Sequence, residues 1–311
     1  MEAVGHIERI REKAFELGFA DCGFARAEAL TDDSARLKSW LEKNYHGRMG
    51  YMARNFEKRS DPRLLVEGAR SVLSLLYNYK SSVSQHDPEA PVLSSYAYGR
   101  DYHFVLKNKM YALFDFMKEC YPDLEGRVFV DSAPVLDRAW ALRAGLGWIG
   151  KNSMLISRKA GSFVFIGEII SNIEIAENPL PEPDRCGNCS RCIDACPTKA
   201  ILNDRLLDAR RCISYQTIEN KDEIPASLHE HLAGRVFGCD ICQLVCPWNK
   251  KTLAHNEPGF SPDAELLDLS REDWLNMDRE SFNKIFKDSP VKRAGFDKLK
   301  ATLRVLNQKS R

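Results

Sequence analysis

The chain has no apolar run near the roughly 18 residues that a membrane span requires. Its N-terminus, Met-Glu-Ala-Val-Gly-His, has neither the basic start and apolar stretch of a secretory signal nor a twin arginine. An excess of one charge is also missing, since 45 Lys and Arg stand against 44 Asp and Glu. We therefore expect a cytoplasmic protein without membrane contact, in which a nucleic-acid partner would need a local basic patch.

Nucleotide-binding signatures are missing as well. There is no P-loop, and Gly145-Leu-Gly-Trp-Ile-Gly150 matches the G-x-G-x-x-G fingerprint only in its letters. That fingerprint requires a strand before it and a helix after it, whereas here a predicted helix precedes and a predicted strand follows. Glu168, the acidic residue nearest the required distance, lies inside a predicted strand. We interpret these glycines as a turn that leaves a helix.

The ten cysteines of this chain lie mostly in one region. Cys186-Gly-Asn-Cys-Ser-Arg-Cys-Ile-Asp-Ala-Cys196-Pro has the C-x2-C-x2-C-x3-C-P spacing with which bacterial ferredoxins hold iron–sulfur clusters. A second run, Cys239-Asp-Ile-Cys-Gln-Leu-Val-Cys246-Pro, lacks its first cysteine because Val236 stands there. Cys212, between the two runs, restores the count. In a reducing compartment this pattern favours metal ligation over disulfides.

Pairing the two runs crosswise gives two complete sets of four thiolates. One [4Fe–4S] cluster is predicted on Cys186, Cys189, Cys192 and Cys246, and the other on Cys196, Cys212, Cys239 and Cys242. Zinc sites, disulfides and redox-active dithiols are the competing interpretations. Zinc knuckles usually come as separated C-x2-C pairs, and a triple with a trailing Cys-Pro is rare among them. Two neighbouring clusters would form a short electron relay.

Strands and helices are predicted to alternate ahead of the cysteines. Apolar periodicity predicts helices over 2–18 and 31–44 and a helix that ends at Cys120, with strands near 20–24, 72–79 and 128–131. Pro134 is expected to open a further helix as its N1 residue. Residues 154–157 and 162–170 are expected to pair around a turn. From 261 onward the chain is polar and helical.

These patterns predict an α+β fold with three parts. They are an α/β-like N-terminal catalytic domain over 1–178, a bacterial-type two-[4Fe–4S] ferredoxin module over 179–258, and a small helical region over 259–311. A proline-rich linker from Asn178 to Asp184 joins the first two parts. Because a simple electron carrier needs far fewer residues than precede the cysteines, we expect an enzyme whose active site lies in the N-terminal domain.

Several short motifs of this chain, taken in order, resemble epoxyqueuosine reductases. The motifs are Glu57-Lys-Arg59, Tyr98-Gly-Arg-Asp-Tyr-His103, Val130-Asp-Ser132, Gly150-Lys-Asn152, the interrupted double ferredoxin motif, Cys212-Ile-Ser214 and Gly238-Cys-Asp-Ile-Cys-Gln243. The resemblance covers about residues 5 to 290. It implies reduction of epoxyqueuosine to queuosine at the wobble position of certain tRNAs, the last step of queuosine synthesis. Such enzymes are similar to cobalamin-dependent reductive dehalogenases.

The resemblance also implies a cobalamin in the N-terminal domain. Asp101-x-His103 departs from the D-x-H-x-x-G signature of many cobalamin proteins, because Leu106 stands where glycine belongs. A base-off cobalamin without a protein ligand is therefore expected. The motif positions that match cobalamin contacts are Arg59, Asp131, Lys151, Asn152, Ser162, Ser214 and Asp240.

Asp131 matches the family's proton donor, a role that needs a raised pKa. A simpler interpretation is that Asp131 or Ser132 only caps the following helix. His103 and Asp101 are expected to support Asp131, with Tyr102 as a weaker candidate.

Partners follow from the same resemblance. We expect tRNA carrying epoxyqueuosine, an electron donor such as a flavodoxin or ferredoxin, and a monomer. The candidate phosphate contacts are Arg205, Arg210, Arg211, Lys292, Arg293, Lys298, Lys300 and Arg304, each equally well explained as solvated surface charge. Some relatives extend into a helical-repeat domain, so this chain is expected to be a short form. The alternatives are a cobalamin-dependent reductive dehalogenase of small organohalides and a non-catalytic iron–sulfur electron-transfer protein.

Overall fold

The computed structural model of the chain describes residues 2–175 and 179–308. Asn178, where the predicted linker begins and the predicted N-terminal domain ends, lies outside the described residues. The three-part division of the chain stays a prediction. No helix in these two ranges is both long and apolar enough to cross a membrane.

The described residues form thirteen α-helices and eight strands. The helices are α1 (Glu2–Glu16), α2 (Thr31–Glu42), α3 (Phe56–Ser60), α4 (Tyr102–Cys120), α5 (Asp137–Arg143), α6 (Arg191–Asp194), α7 (Ile213–Ile218), α8 (Ala226–His229), α9 (Ile241–Leu244), α10 (Ala264–Asp268), α11 (Arg271–Asn276), α12 (Arg279–Ile285) and α13 (Phe296–Gln308). The strands are β1 (Asp21–Arg26), β2 (Ser71–Asn78), β3 (Val92–Leu93), β4 (Gly126–Val130), β5 (Trp148–Ile149), β6 (Leu155–Ile156), β7 (Val164–Ser171) and β8 (Arg235–Phe237).

An antiparallel sheet in the order β1-β2-β7-β4 carries the N-terminal half. Its strands are apolar on both faces because helices cover both. On one face α1 and α4 pack over Phe24, Leu73, Ile169 and their neighbours. On the other face α5 packs with Trp140 over Val72 and Ile170. This layered arrangement places the ends of β4 and α4 beside each other.

A second core holds the C-terminal helices together. Trp274 and Phe286, both fully buried, lie among side chains from α7, α11, α12 and α13. The short strand β3 pairs in parallel with β8, so residues 90–98 contribute to this core as well. The predicted α+β class with a helical C-terminal region is confirmed.

Two local predictions are wrong. Pro134 does not open a helix, because α5 begins only at Asp137 and the residues before it form a turn in which Ser132 N–H donates to the Val130 carbonyl over 2.5 Å. Residues 154–157 and 162–170 do not pair with each other, and only an isolated bridge between Ser157 and Gly161 closes the turn between them. β6 instead pairs with β5, and β7 pairs with β2 and β4, since a long strand that is apolar on both faces is stabilised most as a central strand.

The structural context of Gly145–Gly150 differs from that of a dinucleotide fingerprint, as predicted. α5 precedes these glycines, and β5 lies within the motif itself. A Cβ atom at Gly147 would lie 2.2 Å from the Ile156 carbonyl oxygen, so the glycine is needed for close packing of two backbone segments. The spacing of these glycines therefore reflects strand packing and a turn.

Candidate active site and cysteine module

Asp131 follows the last residue of β4 and has a left-handed backbone, with φ of 53°. Such a conformation costs free energy for a residue other than glycine and concentrates at functional sites. The turn points the carboxylate out of the sheet, where it is 51% exposed. Asp131 accepts a hydrogen bond from Tyr102 Oη at 2.5 Å. Its side chain does not cap α5, whose N-cap residue is Leu136.

His103 and Asp101 extend this contact into a chain of polar groups. Asp101 caps α4 by accepting a bond from the His103 backbone N–H at 2.9 Å, and its carboxylate lies 2.7 Å from His103 Nδ1. His103 Nε2 then faces Asp131, 3.7 Å from Oδ2. Although burial opposes it, hydrogen bonding from His103 holds the pKa of Asp101 below its usual value. An ionised Asp101 keeps a proton on Nδ1 and so orients Nε2 toward Asp131.

Tyr102 is held rigidly in the same group. Its ring stacks on Phe165 with centroids 4.1 Å apart and planes at 11°. Burial raises the pKa of Tyr102 well above its usual value, and the Asp131 carboxylate adds to the rise. Tyr102 therefore remains a hydrogen-bond donor at neutral pH. Tyr102, the weaker candidate in the sequence analysis, thus lies closer to the Asp131 carboxylate than His103 does.

A cavity of about 280 Å³ opens at these residues. It brings together six predicted positions, which are Asp101, Tyr102, His103, Asp131, Cys212 and Ser214. It also contains Arg293, which was predicted only as a candidate phosphate contact, and side chains with no predicted role, among them Tyr51 and Tyr96. Their contribution could not be seen in the sequence, because these residues come from segments far apart along the chain.

The other predicted cobalamin contacts lie outside this cavity. Ser162 and Asp240 are buried and already bonded, Ser162 to Gln243 and Asn249, and Asp240 to Ser94 and Ser95. Half-buried Lys151 donates to the Gly187 carbonyl at 2.7 Å. The roles of all three stay predictions.

Arg59 and Asn152 differ from these residues because each holds a buried donor without a partner in the described chain. Arg59 donates to two backbone carbonyls, while its Nε has no partner. Asn152 is 4% exposed, and its Nδ2 is also unpartnered. Buried polar groups are almost always hydrogen-bonded. These two donors therefore fit a polar ligand, such as the amides around a corrin ring.

The eight cysteines of the predicted clusters form two groups in space. Burial raises the pKa of the Cys192 thiol, and Cys186 and Cys246 add to the rise, which places these three together. Burial raises the pKa of Cys239 to about 11, with Cys212 adding to it, and raises that of Cys242 further, with Cys212 and Cys239 adding. Cys196 lies beside Cys212 in the same way. Cys189 lies beside Cys246 in the same way. This grouping is the one that the crosswise pairing requires, and the assignment of ligands to clusters stays a prediction.

The backbone around these thiols also suits iron–sulfur clusters. The helices α6 and α9, four residues each, begin at matching places inside the Cys189–Cys192 and Cys239–Cys242 segments and pack against each other. Backbone N–H groups point at sulfurs, as Ala200 N–H does at Cys196 Sγ over 3.3 Å. Such bonds tune cluster potentials. A single zinc ion would lie about 2.3 Å from each of its thiolate sulfurs. In the described ranges no group of three His, Cys, Asp or Glu side chains is arranged to hold one metal ion.

Fold and site together define a class of protein. It is an iron–sulfur oxidoreductase in which residues of a double-cluster region and of the N-terminal half line one cavity, with the acidic Asp131 and the predicted cluster ligand Cys212 both in its wall.

Comparisons with known proteins narrow this class. Residues 185–249 match the family model of a 4Fe-4S double cluster binding domain, and residues 59–132 match the model described as epoxyqueuosine reductase QueG, DUF1730. The chain is 48% identical over 293 residues to an epoxyqueuosine reductase from Cyclobacterium marinum, covering 94% of each chain. The chain belongs to the epoxyqueuosine reductase family. The predicted oxidoreductase activity, family membership and double-cluster module are confirmed.

Two solved structures support the same assignment. A crystal structure of an epoxyqueuosine reductase with a tRNA-Tyr epoxyqueuosine-modified stem loop is 31% identical, with a TM-score of 0.90, and the match covers 98% of this chain and 81% of that one. A Bacillus subtilis epoxyqueuosine reductase, in which a catalytic aspartate loop is swung out of the active site, is 30% identical, with a TM-score of 0.89 and the same coverage.

Proposed function

We propose that this protein reduces epoxyqueuosine to queuosine in tRNA and that Asp131 donates a proton to the epoxide oxygen. The observation that carries this proposal is the shared cavity, in which Asp131 and Cys212 both take part. A proton donor and an electron-carrying cluster thus meet at one substrate-sized space. A related enzyme has been seen with an epoxyqueuosine-modified tRNA stem loop, and another has a catalytic aspartate on a loop.

The chemistry sets what the site must supply. Opening the epoxide and restoring the alkene breaks two C–O bonds, consumes two electrons and two protons, and releases the oxygen as water. The clusters deliver the electrons singly. Asp131 delivers a proton to the oxygen, Tyr102 holds its carboxyl in place, and His103 is oriented by Asp101 to exchange a proton with it.

Cobalamin is the cofactor that we propose for the space beside Asp131. Ser214 in the cavity and the unpartnered donors of Arg59 and Asn152 are the residues that fit it best. Bound there, cobalamin would supply a strongly reducing one-electron centre next to the substrate. Ser162, Lys151 and Asp240 are weaker candidates, because each already bonds to protein groups.

The candidate RNA contacts divide by what they already bind. Arg205, Arg210 and Arg293 take part in ion pairs with neighbouring carboxylates, and Lys298 and Lys300 donate to backbone carbonyls. Arg293 lines the cavity, so among these residues it is the one best placed to meet a phosphate near the modified base. Exposed Arg211, Lys292 and Arg304 fit contacts farther along the RNA stem.

The setting proposed for the reaction is the cytoplasm. Every cysteine of the chain is free of disulfides, as a reducing compartment requires. An electron donor such as a flavodoxin or ferredoxin would feed the clusters, and we expect the protein to act as a monomer.

Conversion of an epoxyqueuosine-modified stem loop tests the proposal. Reconstituted protein with cobalamin and a strong reductant should yield queuosine by nucleoside mass spectrometry. Asp131→Asn should lower kcat by roughly 10²-fold or more, since it cannot donate the proton. The control is Asp115→Asn, which changes an exposed aspartate on α4. Wild-type turnover by Asp131→Asn would refute its role, and the absence of queuosine with the wild type would refute the activity.

A further inference from the structure

We infer that the indole N–H of Trp148 donates a hydrogen bond to a sulfur of one iron–sulfur cluster and raises the reduction potential of that cluster. This cluster, the outer cluster, is the one predicted on Cys186, Cys189, Cys192 and Cys246. The inference rests on that ligand set and on no step of the proposed reaction.

Trp148 holds a buried donor for which the described chain offers no acceptor. The residue is 2% exposed, its indole nitrogen is sealed from solvent, and no atom of the described residues accepts its hydrogen bond. An indole has one polar atom, which can only donate, and buried donors are almost always hydrogen-bonded. The acceptor therefore belongs to a group that binds beside Trp148.

The side chains around Trp148 indicate which group that is. It packs in a small cluster with Ile156, Trp248 and two predicted ligands of the outer cluster, Cys186 and Cys246. The rings of Trp148 and Trp248 meet edge to face, with centroids 4.8 Å apart and planes at 75°. Ile156 has no acceptor in its side chain, and a ring face such as that of Trp248 is a weak one. The strongest acceptors at this place are the sulfurs of the cluster.

The strand that carries Trp148 is tied to the cysteine region. β5 pairs with β6, and Lys151 just after β5 donates from Nζ to the Gly187 carbonyl at 2.7 Å. Arg205 Nε, from the segment after the first cysteine run, donates to the Ile149 carbonyl at 2.9 Å. Because these bonds hold β5 against the segments that carry the thiols, the indole is in place before it donates.

The effect of such a bond on the cluster has a definite sign. Reduction adds a negative charge to a cluster, and an N–H group bonded to one of its sulfurs stabilises that charge and raises the potential. The other cluster includes the predicted ligand Cys212, which lines the cavity, whereas no predicted ligand of the outer cluster does. A higher potential therefore helps the outer cluster to accept electrons from the donor before they pass toward the cavity.

A redox titration followed by electron paramagnetic resonance tests the effect on the potential. Trp148→Phe keeps an aromatic ring but removes the donor. It should lower the potential of one cluster by about 59 mV, a tenfold change in its one-electron equilibrium, and leave the other cluster and the iron content unchanged. Trp140→Phe makes the same change at a buried tryptophan of the sheet core and should alter neither potential. Unchanged potentials in Trp148→Phe, or equal shifts in both variants, refute the inference.

Pulsed electron paramagnetic resonance of the reduced protein tests the bond itself. With ¹⁵N placed only in the indole rings, the wild type should show a hyperfine coupling between the outer cluster and an indole nitrogen. The coupling should persist in Trp248→Phe, and this result decides the question even where Trp148→Phe assembles too little cluster. A wild type without the coupling, or a coupling lost in Trp248→Phe, refutes the inference. Neither experiment contains tRNA, so a protein that makes no queuosine refutes only the proposed activity.

Discussion

Replacing Cys212 tests the arrangement of the clusters most directly. Cys212 is the N-cap residue of α7, and the backbone N–H groups of Ser214 and Tyr215 point at its sulfur. Cys196, Cys239 and Cys242 surround it, while Cys246 lies with the other group. If Cys212 completes one of two [4Fe–4S] clusters, Cys212→Ala should lose about four of roughly eight iron atoms.

The grouping makes this prediction quantitative. Cys246→Ala should also lose about half of the iron, and Cys212→Ala with Cys246→Ala should lose nearly all of it, because the two residues serve different clusters. Iron and sulfide content per protein, with electron paramagnetic resonance after reduction, measures each cluster. Cys120→Ala is the control, since that buried cysteine ends α4 within the first core and should leave the iron content unchanged.

Position 236 offers a sharper form of the test. A ferredoxin would carry a cysteine there, but Val236 is 1% exposed in β8 and its side chain packs in the second core. Adding Val236→Cys to Cys212→Ala should therefore restore no iron. Unchanged iron in Cys212→Ala would show that Cys212 is not a ligand, and restored iron in the double variant would show that β8 can turn toward the cluster.

Other predictions concern stability. A carboxyl whose pKa is raised on folding stabilises the native state fully below its unfolded pKa, and that contribution is lost as the pH rises toward its folded pKa. Burial raises the pKa of Glu168 well above its usual value, so Tm of the wild type should fall relative to Glu168→Gln as the pH rises above about 4. Equal slopes of Tm against pH would contradict this. Trp274→Ala should cost about 3–5 kcal/mol of unfolding free energy in a denaturant titration, whereas Leu253→Ala, at a residue 82% exposed, should change it by less than about 0.5 kcal/mol. A small loss for Trp274→Ala would mean that the second core repacks.

Short-range patterns predict local structure well where one segment of the chain contains the whole signal. The cysteine spacing predicts thiolate clusters because each C-x2-C segment and its following turn place the sulfurs by themselves. The helix that ends at Cys120 and the strand before Asp131 follow in the same way from apolar periodicity. The prediction that Pro134 opens a helix is wrong. The preference of one residue for a helix start is weak, and the turn that begins at Asp131 overrides it.

Other features follow only from the tertiary structure. Strand pairing of β7 depends on which neighbours cover it, and the sequence around one turn does not contain that information. Arg293 enters the cavity from the C-terminal region, which no local pattern indicates. Glu168 is an acidic residue inside a predicted strand, and only the packing of α5 on β7 shows that its side chain is fully buried.

The cysteine spacing by itself therefore determined which metal chemistry this protein carries, because thiolate type and spacing are local properties of the chain. The folded structure alone decided which groups share the cavity. Asp131, Tyr102 and Cys212 come from distant segments, and only packing brings them to one cavity.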